Sequence, residues 1–384
     1  MTRITGTYRL ARTGDEEVRA FVPHPLPPTD PPLAIDQGLQ HRLDCALAGL
    51  SRLAVAADLV PNAQWFLYSF VRKEALITSQ IEGTQATLQD VLVSEVGELP
   101  KRPDDVQDVC NYLAALQYAR RELGRPKGLP LSIRLLCESH KRLMKGVRGN
   151  EKQPGQIRRS QNWIGGTRPG NARFVPPPPD ALPDALSALE KWIHRPDDLP
   201  PLIRIGLAHA QFETIHPFLD GNGRIGRLLI TLLVEHWKIL PVPLLYLSVA
   251  FKRHQQEYYN RLSEIRTLGN WEGWTEFFLD CVAEAADDAV SAAQRLFLQL
   301  SLDRAALVTA PQATIPAVKL LDLLAANPVI TLPRAVTLLN VTKPTAIKAL
   351  AALNKLGILR ETTGKQRDRV YVYHKYLQIL KQDT

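Results

Sequence analysis

The stretch IHPFLDGNGRIGR, residues 215–227, gathers a histidine, an acid, an asparagine, three glycines and two arginines within thirteen positions. Packing alone rarely asks for that set. Asp220-Gly221-Asn222-Gly223 is turn chemistry between two helical patterns. Glycines let a backbone approach a ligand closely. A helix beginning near Arg224 offers unpaired N–H groups and the positive end of its dipole. Arg224 and Arg227, three residues apart, fall on or near its first turn. Residues Gly221, Asn222, Gly223, Arg224, Ile225, Gly226 and Arg227 therefore predict an anion hole suited to phosphate. His216, near its ordinary pKa, can take a proton from a hydroxyl. Asp220 beside phosphate oxygens is a natural Mg²⁺ ligand. Base, metal ligand and phosphate cradle in one segment predict phosphoryl or nucleotidyl transfer.

Two competing motifs fail on context. GNGRIG, residues 221–226, matches G-x-G-x-x-G, but the segment before it is helical, whereas the dinucleotide fingerprint follows a strand. No G-x-x-x-x-G-K-[ST] occurs. His209 lies seven residues before His216, yet without H-E-x-x-H no zinc site is expected.

Around this segment helical periodicity dominates. HRLDCALAGLSRLAVAADLV (41–60) and WFLYSFVRKEALITSQIEG (65–83) carry apolar residues at three-to-four spacing, and further helices are predicted near 104–122, 131–147, 180–193, 201–215, 224–238, 255–267 and 271–300. The proline-rich residues 1–34 predict an extended arm. Residues 155–178 predict a hairpin around a glycine-rich turn. After Thr309 the pattern changes to three short helices, then two strands around Thr363-Gly364-Lys365, which predicts a winged helix-turn-helix over 312–384. The fold expected is mainly α: N-terminal arm and helices over 1–110, a core over 111–300 with its hairpin, and the winged module.

The chain has 384 residues, 45% hydrophobic and 22% charged, which suits two or three globular domains. No apolar run spans a membrane. The N-terminal residues lack the apolar region of a secretory signal. Cys45, Cys110, Cys137 and Cys281 are far apart and are expected as buried thiols in a reducing cytoplasm. The net charge of +8 is uneven: residues 312–384 hold eleven Lys/Arg against four Asp/Glu, a surplus of seven, leaving +1 for the rest. That suggests a polyanion partner for the last module, with DNA approached by Lys343, Thr345 and Lys348 and by Lys365, Arg367 and Arg369 on the wing. A protein partner there stays open.

HPFLDGNGRIGR resembles the signature of Fic-domain proteins, H-P-F-x-[D/E]-G-N-G-R-x-x-R, at every fixed position. The hairpin NWIGG…FVPPPP, the segment EYYNRL and TSQIEGT agree with it along about 300 residues. The resemblance implies a mostly helical Fic core and transfer of AMP from ATP to a Ser, Thr or Tyr hydroxyl of a protein, with pyrophosphate released. His216 would be the base, Asp220 would hold Mg²⁺ on the α- and β-phosphates, and Arg227 would hold the γ-phosphate. Tyr258 and Tyr259 would line the nucleotide pocket. Asn162, Trp163, Ile164 and Gly165 would form a flap on which a target strand docks by β-augmentation. TSQIEG, with Thr78 first and Glu82-Gly83 last, resembles the family's inhibitory pattern on a helix over about 64–83. Glu82 would then pair with Arg227 and occupy the γ-phosphate's place. Transfer of another phosphate-containing group, removal of AMP, or a DNA-binding regulator with a secondary Fic core remain alternatives, and a homodimer stays open.

Overall fold

Helical periodicity becomes helix almost everywhere. The computed structural model describes residues 3–58, 63–97, 100–146, 150–240 and 244–382; residues 1–2 and 383–384, the outer ends of the expected first and last segments, lie outside them. Strands β1 (Gly6–Thr13) and β2 (Glu16–Pro23) are followed by α1 (Gln37–Asp58), α2 (Ala63–Ile81), α3 (Leu88–Glu95), α4 (Pro103–Gly124) and α5 (Ile133–Leu143). Then come α6 (Leu182–His194), α7 (Pro201–Ile215), α8 (Asn222–His236), α9 (Ser248–Arg253), α10 (Gln255–Leu268) and α11 (Trp271–Thr309). The C-terminal part comprises α12 (Ile315–Leu324), β3 (Val329–Thr331), α13 (Leu332–Leu339), α14 (Lys343–Lys355), β4 (Leu359–Glu361), β5 (Val370–Tyr373) and α15 (His374–Leu380).

Helices α7 and α8 are apolar on nearly every side and sit at the centre, as an all-round hydrophobic helix must. Pro201 opens α7 at a position where its missing N–H costs nothing. Pro217 stops it, and His216 caps it in the left-handed region at φ +48°. Long α11 packs along α1. Small residues allow the close approach: a methyl carbon added at Gly49 would stand 3.2 Å from the side chain of Ala286. Arg42–Asp280 and Arg52–Asp287 pairs rim that contact.

Four expectations need correcting. Residues 6–23 are not an extended arm but a hairpin, registered from Gly6 opposite Pro23 to Thr13 opposite Glu16. Its turn is Gly14-Asp15, with Gly14 at φ +61°, and two-residue turns with a leading glycine match strand twist. Residues 155–178 are not a two-stranded hairpin: their only ladder is one bridge between Ile164 and Phe174. The outer side of that segment is instead covered by β2, through Phe21 N–H to the Val175 carbonyl at 2.9 Å. Glu16 adds contacts to Arg168 and to the Gly170 N–H. The C-terminal sheet has three strands, in order β3-β5-β4, because the short run Val329–Thr331 between two helices pairs with β5. Of the cysteines only Cys281 is buried, and Cys45 is exposed. Helix α11 also runs nine residues past the expected end.

Candidate active site

The loop from His216 to Gly221 joins the two central helices. Gly221 holds φ +75°, and a Cβ there would crowd Met144, Leu143 and His140. The Asn222 side chain closes the loop on itself: its Oδ1 accepts from the Phe218 N–H and its Nδ2 donates to the Phe218 carbonyl, both at 2.8 Å. The amide of Asn222 is thus spent on the backbone, and only its N–H faces the expected anion hole. That N–H and those of Gly223 and Arg224 have no helical carbonyl behind them.

Two residues that the sequence reading did not single out brace this loop. Arg158, 1% exposed, donates from its backbone N–H to the Pro217 carbonyl and from Nε to the His216 carbonyl at 3.0 Å. Its other nitrogens reach the Ser160 and Pro177 carbonyls, one on each side of the flap. His140, fully buried, stacks on Phe218 with centroids 3.9 Å apart. Its Nδ1 accepts from the Gly155 N–H at 2.9 Å and its Nε2–H donates to the Asp220 carbonyl at 3.0 Å. Burial pushes this imidazole down to about 4, so it is a neutral brace. One of the two arginines in GQIRR and a lone histidine in an amphipathic helix carry no local signal of such roles.

His216 is also neutral. Burial first, and the charge of Arg158 second, lower it to about 4. Its Nδ1 faces the Glu213 carbonyl at 3.4 Å, so a proton on Nδ1 leaves the Nε2 lone pair available. Glu213 itself is buried with one unpartnered oxygen, and burial pushes its carboxyl up to about 7 against the pull of Arg227.

Opposite the base, an anion already occupies the mouth of α8. Helix α2 ends at Ile81, and Gly83, at φ +97°, turns the chain beyond it. Glu82 Oε1 lies 2.5 Å from Arg227 Nη2 and 2.3 Å from where a Cβ on Gly223 would stand. Gly223 is therefore required for the approach. Arg227, 2% exposed, also donates from Nε to Thr78 Oγ1 at 2.6 Å and from Nη2 to the Thr78 carbonyl at 3.0 Å. Burial raises the Glu82 carboxyl, but Arg227, then Arg224 and His216, outweigh it and leave it below its ordinary value. Arg227 is held above its own.

Beside Glu82 lies a cavity of about 140 Å³ lined in part by Asp220, Arg224, Met144 and Lys145. Arg224 is 7% exposed, its Nε has no hydrogen-bond partner, and Asp220 Oδ1 is 3.9 Å from its Nη2, with Glu82 on the same cavity wall. A buried guanidinium left so open fits an anionic ligand. Asp220 is half exposed, and Oδ1 accepts from the Gly221 N–H. Among the described residues no group of three His, Cys, Asp or Glu could hold a metal. One carboxylate fits Mg²⁺ only together with phosphate oxygens. His216 is outside the cavity lining, yet close enough to Glu82 to feel its charge.

The remaining expected residues divide. Asn162 Nδ2 donates to the Phe218 carbonyl, tying the flap to the loop. Ile164 forms the single bridge, Gly165 sits at φ +69°, and Trp163 is 38% exposed. Gly226 lets Glu213 and His209 approach α8. Tyr258 is buried, stacked on Phe251, with its hydroxyl 2.8 Å from His209 Nε2. His209, pushed down to about 3 by burial, is a core residue. Tyr259 is half exposed and senses the charge of Glu82.

Residues 130–234 match the Fic/DOC family, and residues 40–121 match the Fic/DOC family N-terminal region. The protein adenylyltransferase Fic of Culex quinquefasciatus is 27% identical over 212 residues, 54% of this chain and 39% of the relative. That of Drosophila willistoni is 28% identical over 258 residues, 66% of this chain and 48% of the relative. The chain thus spans less than half the length of these relatives. A crystal structure of a Fic family protein from Desulfovibrio desulfuricans superposes with a TM-score of 0.59 at 22% identity, covering 89% of this chain and 98% of that one. A Fic domain containing signaling protein from Bacteroides thetaiotaomicron gives 0.54 at 19% identity, covering 65% and 97%. Residues 40–121 and 130–234 thus carry the two Fic/DOC family regions in order, and the helical fold is shared with these solved Fic structures.

Proposed function

We propose that this chain is a protein adenylyltransferase that moves AMP from ATP to a Ser, Thr or Tyr hydroxyl of a target protein, and that Glu82 restrains it. The observation that carries the reading is the Glu82 carboxylate held by Arg227 in the mouth of α8, across the loop from a neutral His216. A built anion site beside a base is what adenylyl transfer requires. His216 Nε2 takes the hydroxyl proton as the oxygen attacks the α-phosphorus. The bond from that phosphorus to the α,β-bridging oxygen breaks, and pyrophosphate leaves. Asp220 would hold Mg²⁺, which supplies charge neutralisation at the phosphates. The first-turn N–H groups and Arg224 orient the nucleotide, and Arg227, once free of Glu82, receives the γ-phosphate. The relatives named protein adenylyltransferase support the same chemistry.

The exposed flap at Trp163 is the docking place for the target strand. Incubation with α-labelled ATP and Mg²⁺, alone and with lysate proteins, tests the activity. Label retained on protein is the expected result, and its absence even from Glu82→Gly protein counts against the reading.

A second reading concerns 312–384. Lys343, Arg367 and Arg369 are exposed around a groove of about 910 Å³ between α13, α14 and the β4–β5 turn, and Lys348 is exposed elsewhere on α14. Ile347, 47% exposed, stands among them. Cations around an apolar contact suit duplex DNA, phosphates outside and a base edge within. Duplex binding that weakens steeply with salt is expected.

A further inference from the structure

The C-terminal region is joined to the inhibitory helix itself. Helix α15 packs against both α2 and α11, with Tyr376, Leu377 and Leu380 each 2% exposed. Lys73 Nζ, on α2, donates to the Gln382 carbonyl at 2.6 Å, and Lys381 Nζ reaches Gln89 Oε1 on α3 at 2.8 Å. Arg295 on α11 bonds the Gln382 side chain. The Tyr373 hydroxyl, just before α15, donates to the buried Asp303 carboxylate on α11 at 2.8 Å. Arg304–Asp322 joins α11 to α12 at 2.6 Å.

Helix α2 is thereby gripped at three places. The C-terminal region holds it at Lys73, near its midpoint. Glu74, buried, accepts from the Ser248 N–H and hydroxyl in the middle. Arg227 holds Thr78 and Glu82 at the end. A helix rises 1.5 Å per residue, so Lys73 and Ile81, the last helical residue before Glu82, stand about 12 Å apart on one stiff rod. A shift at Lys73 cannot be absorbed between them without breaking helical hydrogen bonds.

We propose that α15 is a clamp on the inhibitory helix, so that the C-terminal region sets how firmly Glu82 holds Arg227. The proposal rests on the reading of Glu82 as a restraint and extends it to a second, distant input. The grip is made by one short helix and two half-buried amines, Lys73 and Lys381, a contact small enough to open and close. What the C-terminal region binds then acts on transfer without touching the nucleotide.

The test is a full-length Lys73→Glu/Lys381→Glu variant, read by hydrogen exchange and by transfer from α-labelled ATP. Faster exchange at 374–382 reports clamp release. Faster exchange at 79–84, with transfer raised about two- to thirtyfold, is then expected. In a Glu82→Gly background the same pair should change transfer by less than about twofold, because the restraint is already gone. Release at 374–382 with 79–84 unchanged overturns the proposal, as does an equal gain in the Glu82→Gly background. Should the charge reversals leave 374–382 protected, Leu377→Asp, on the buried face of α15, is judged by the same two segments. Absence of label from every protein speaks against the transferase reading, and the exchange at 79–84 still decides the clamp.

Discussion

The loop from His216 to Asn222 and the end of α2 at Glu82 meet at the same anion site, but they are fastened differently. The loop is held by Arg158, His140, Asn162 and Asn222, drawn from four places in the chain and bonded almost entirely to backbone carbonyls and N–H groups. No solute competes for those partners. Glu82 is more than a third exposed and is held by one ion pair to Arg227, with Thr78 alongside. Any phosphate competes for that partner. Permanent geometry is built from hydrogen bonds to the backbone, and the removable part is built from a charge that a phosphate also carries.

The sharpest break of this comparison is on the loop side. His216→Ala should lower transfer by about 10²–10⁴-fold, the usual worth of a general base. Nucleotide affinity should stay near the parent's, since the base acts on the hydroxyl. Calorimetric ATP binding beside a labelled-transfer assay checks both. Retained transfer removes His216 from the role proposed for it.

Glu82→Gly attacks the removable side. Transfer, including self-modification, should rise by about 5- to 150-fold, the span of an ordinary coupling energy. Arg227→Ala should not mimic it, because in the proposed function Arg227 is both the lock and the phosphate's ligand. The double variant should be as poor as Arg227→Ala alone, since the two changes act on one contact. A lower rate in Glu82→Gly makes Glu82 a participant rather than a restraint.

Asn222→Ala tests the permanent side without touching a reacting group. Two hydrogen bonds to Phe218 are lost, at about 1 kcal/mol each. A lower denaturant midpoint with unchanged slope is expected, with slower transfer from a loosened loop. Equal stability would mean that the loop is held by Arg158 and His140 alone.

The sequence made one half of this contrast legible. The turn residues, the helix-start cations and the histidine are local, and a thirteen-residue window carries their chemistry. The helical fold followed from periodicity for the same reason. Glu82 was legible only through the resemblance, since an acid at a helix end reads as solvated surface. Arg158 and His140 were not legible, because their partners are carbonyls 58 and 80 positions away. Tyr258 could not be assigned from its neighbours in the sequence, because an aromatic that serves a pocket and one that serves a core look alike there. The N-terminal hairpin was hidden behind its proline-rich continuation, although Gly14-Asp15 between alternating runs was a turn signal.

The smallest expected effect concerns pH. A histidine at its ordinary value near 6.5 is about nine-tenths protonated at pH 5.5, which would lower a base-dependent rate about tenfold. His216 is lowered to about 4 by burial and by Arg158, so it stays neutral through that range. Transfer by Glu82→Gly protein should therefore change less than about twofold, through His216, between pH 7 and 5.5, and fall only toward pH 4. The group beside it that does titrate is Glu213, raised to about 7 by burial; it gains its proton as pH falls through 7. Its proton removes a negative charge near Arg227, not the base. Glu213→Gln in the same background should flatten whatever slope remains above pH 5.5. A tenfold loss by pH 5.5 that persists in Glu213→Gln would mean that His216 titrates near 6.5, and the loop would then be far more open to water than its buried bracing implies.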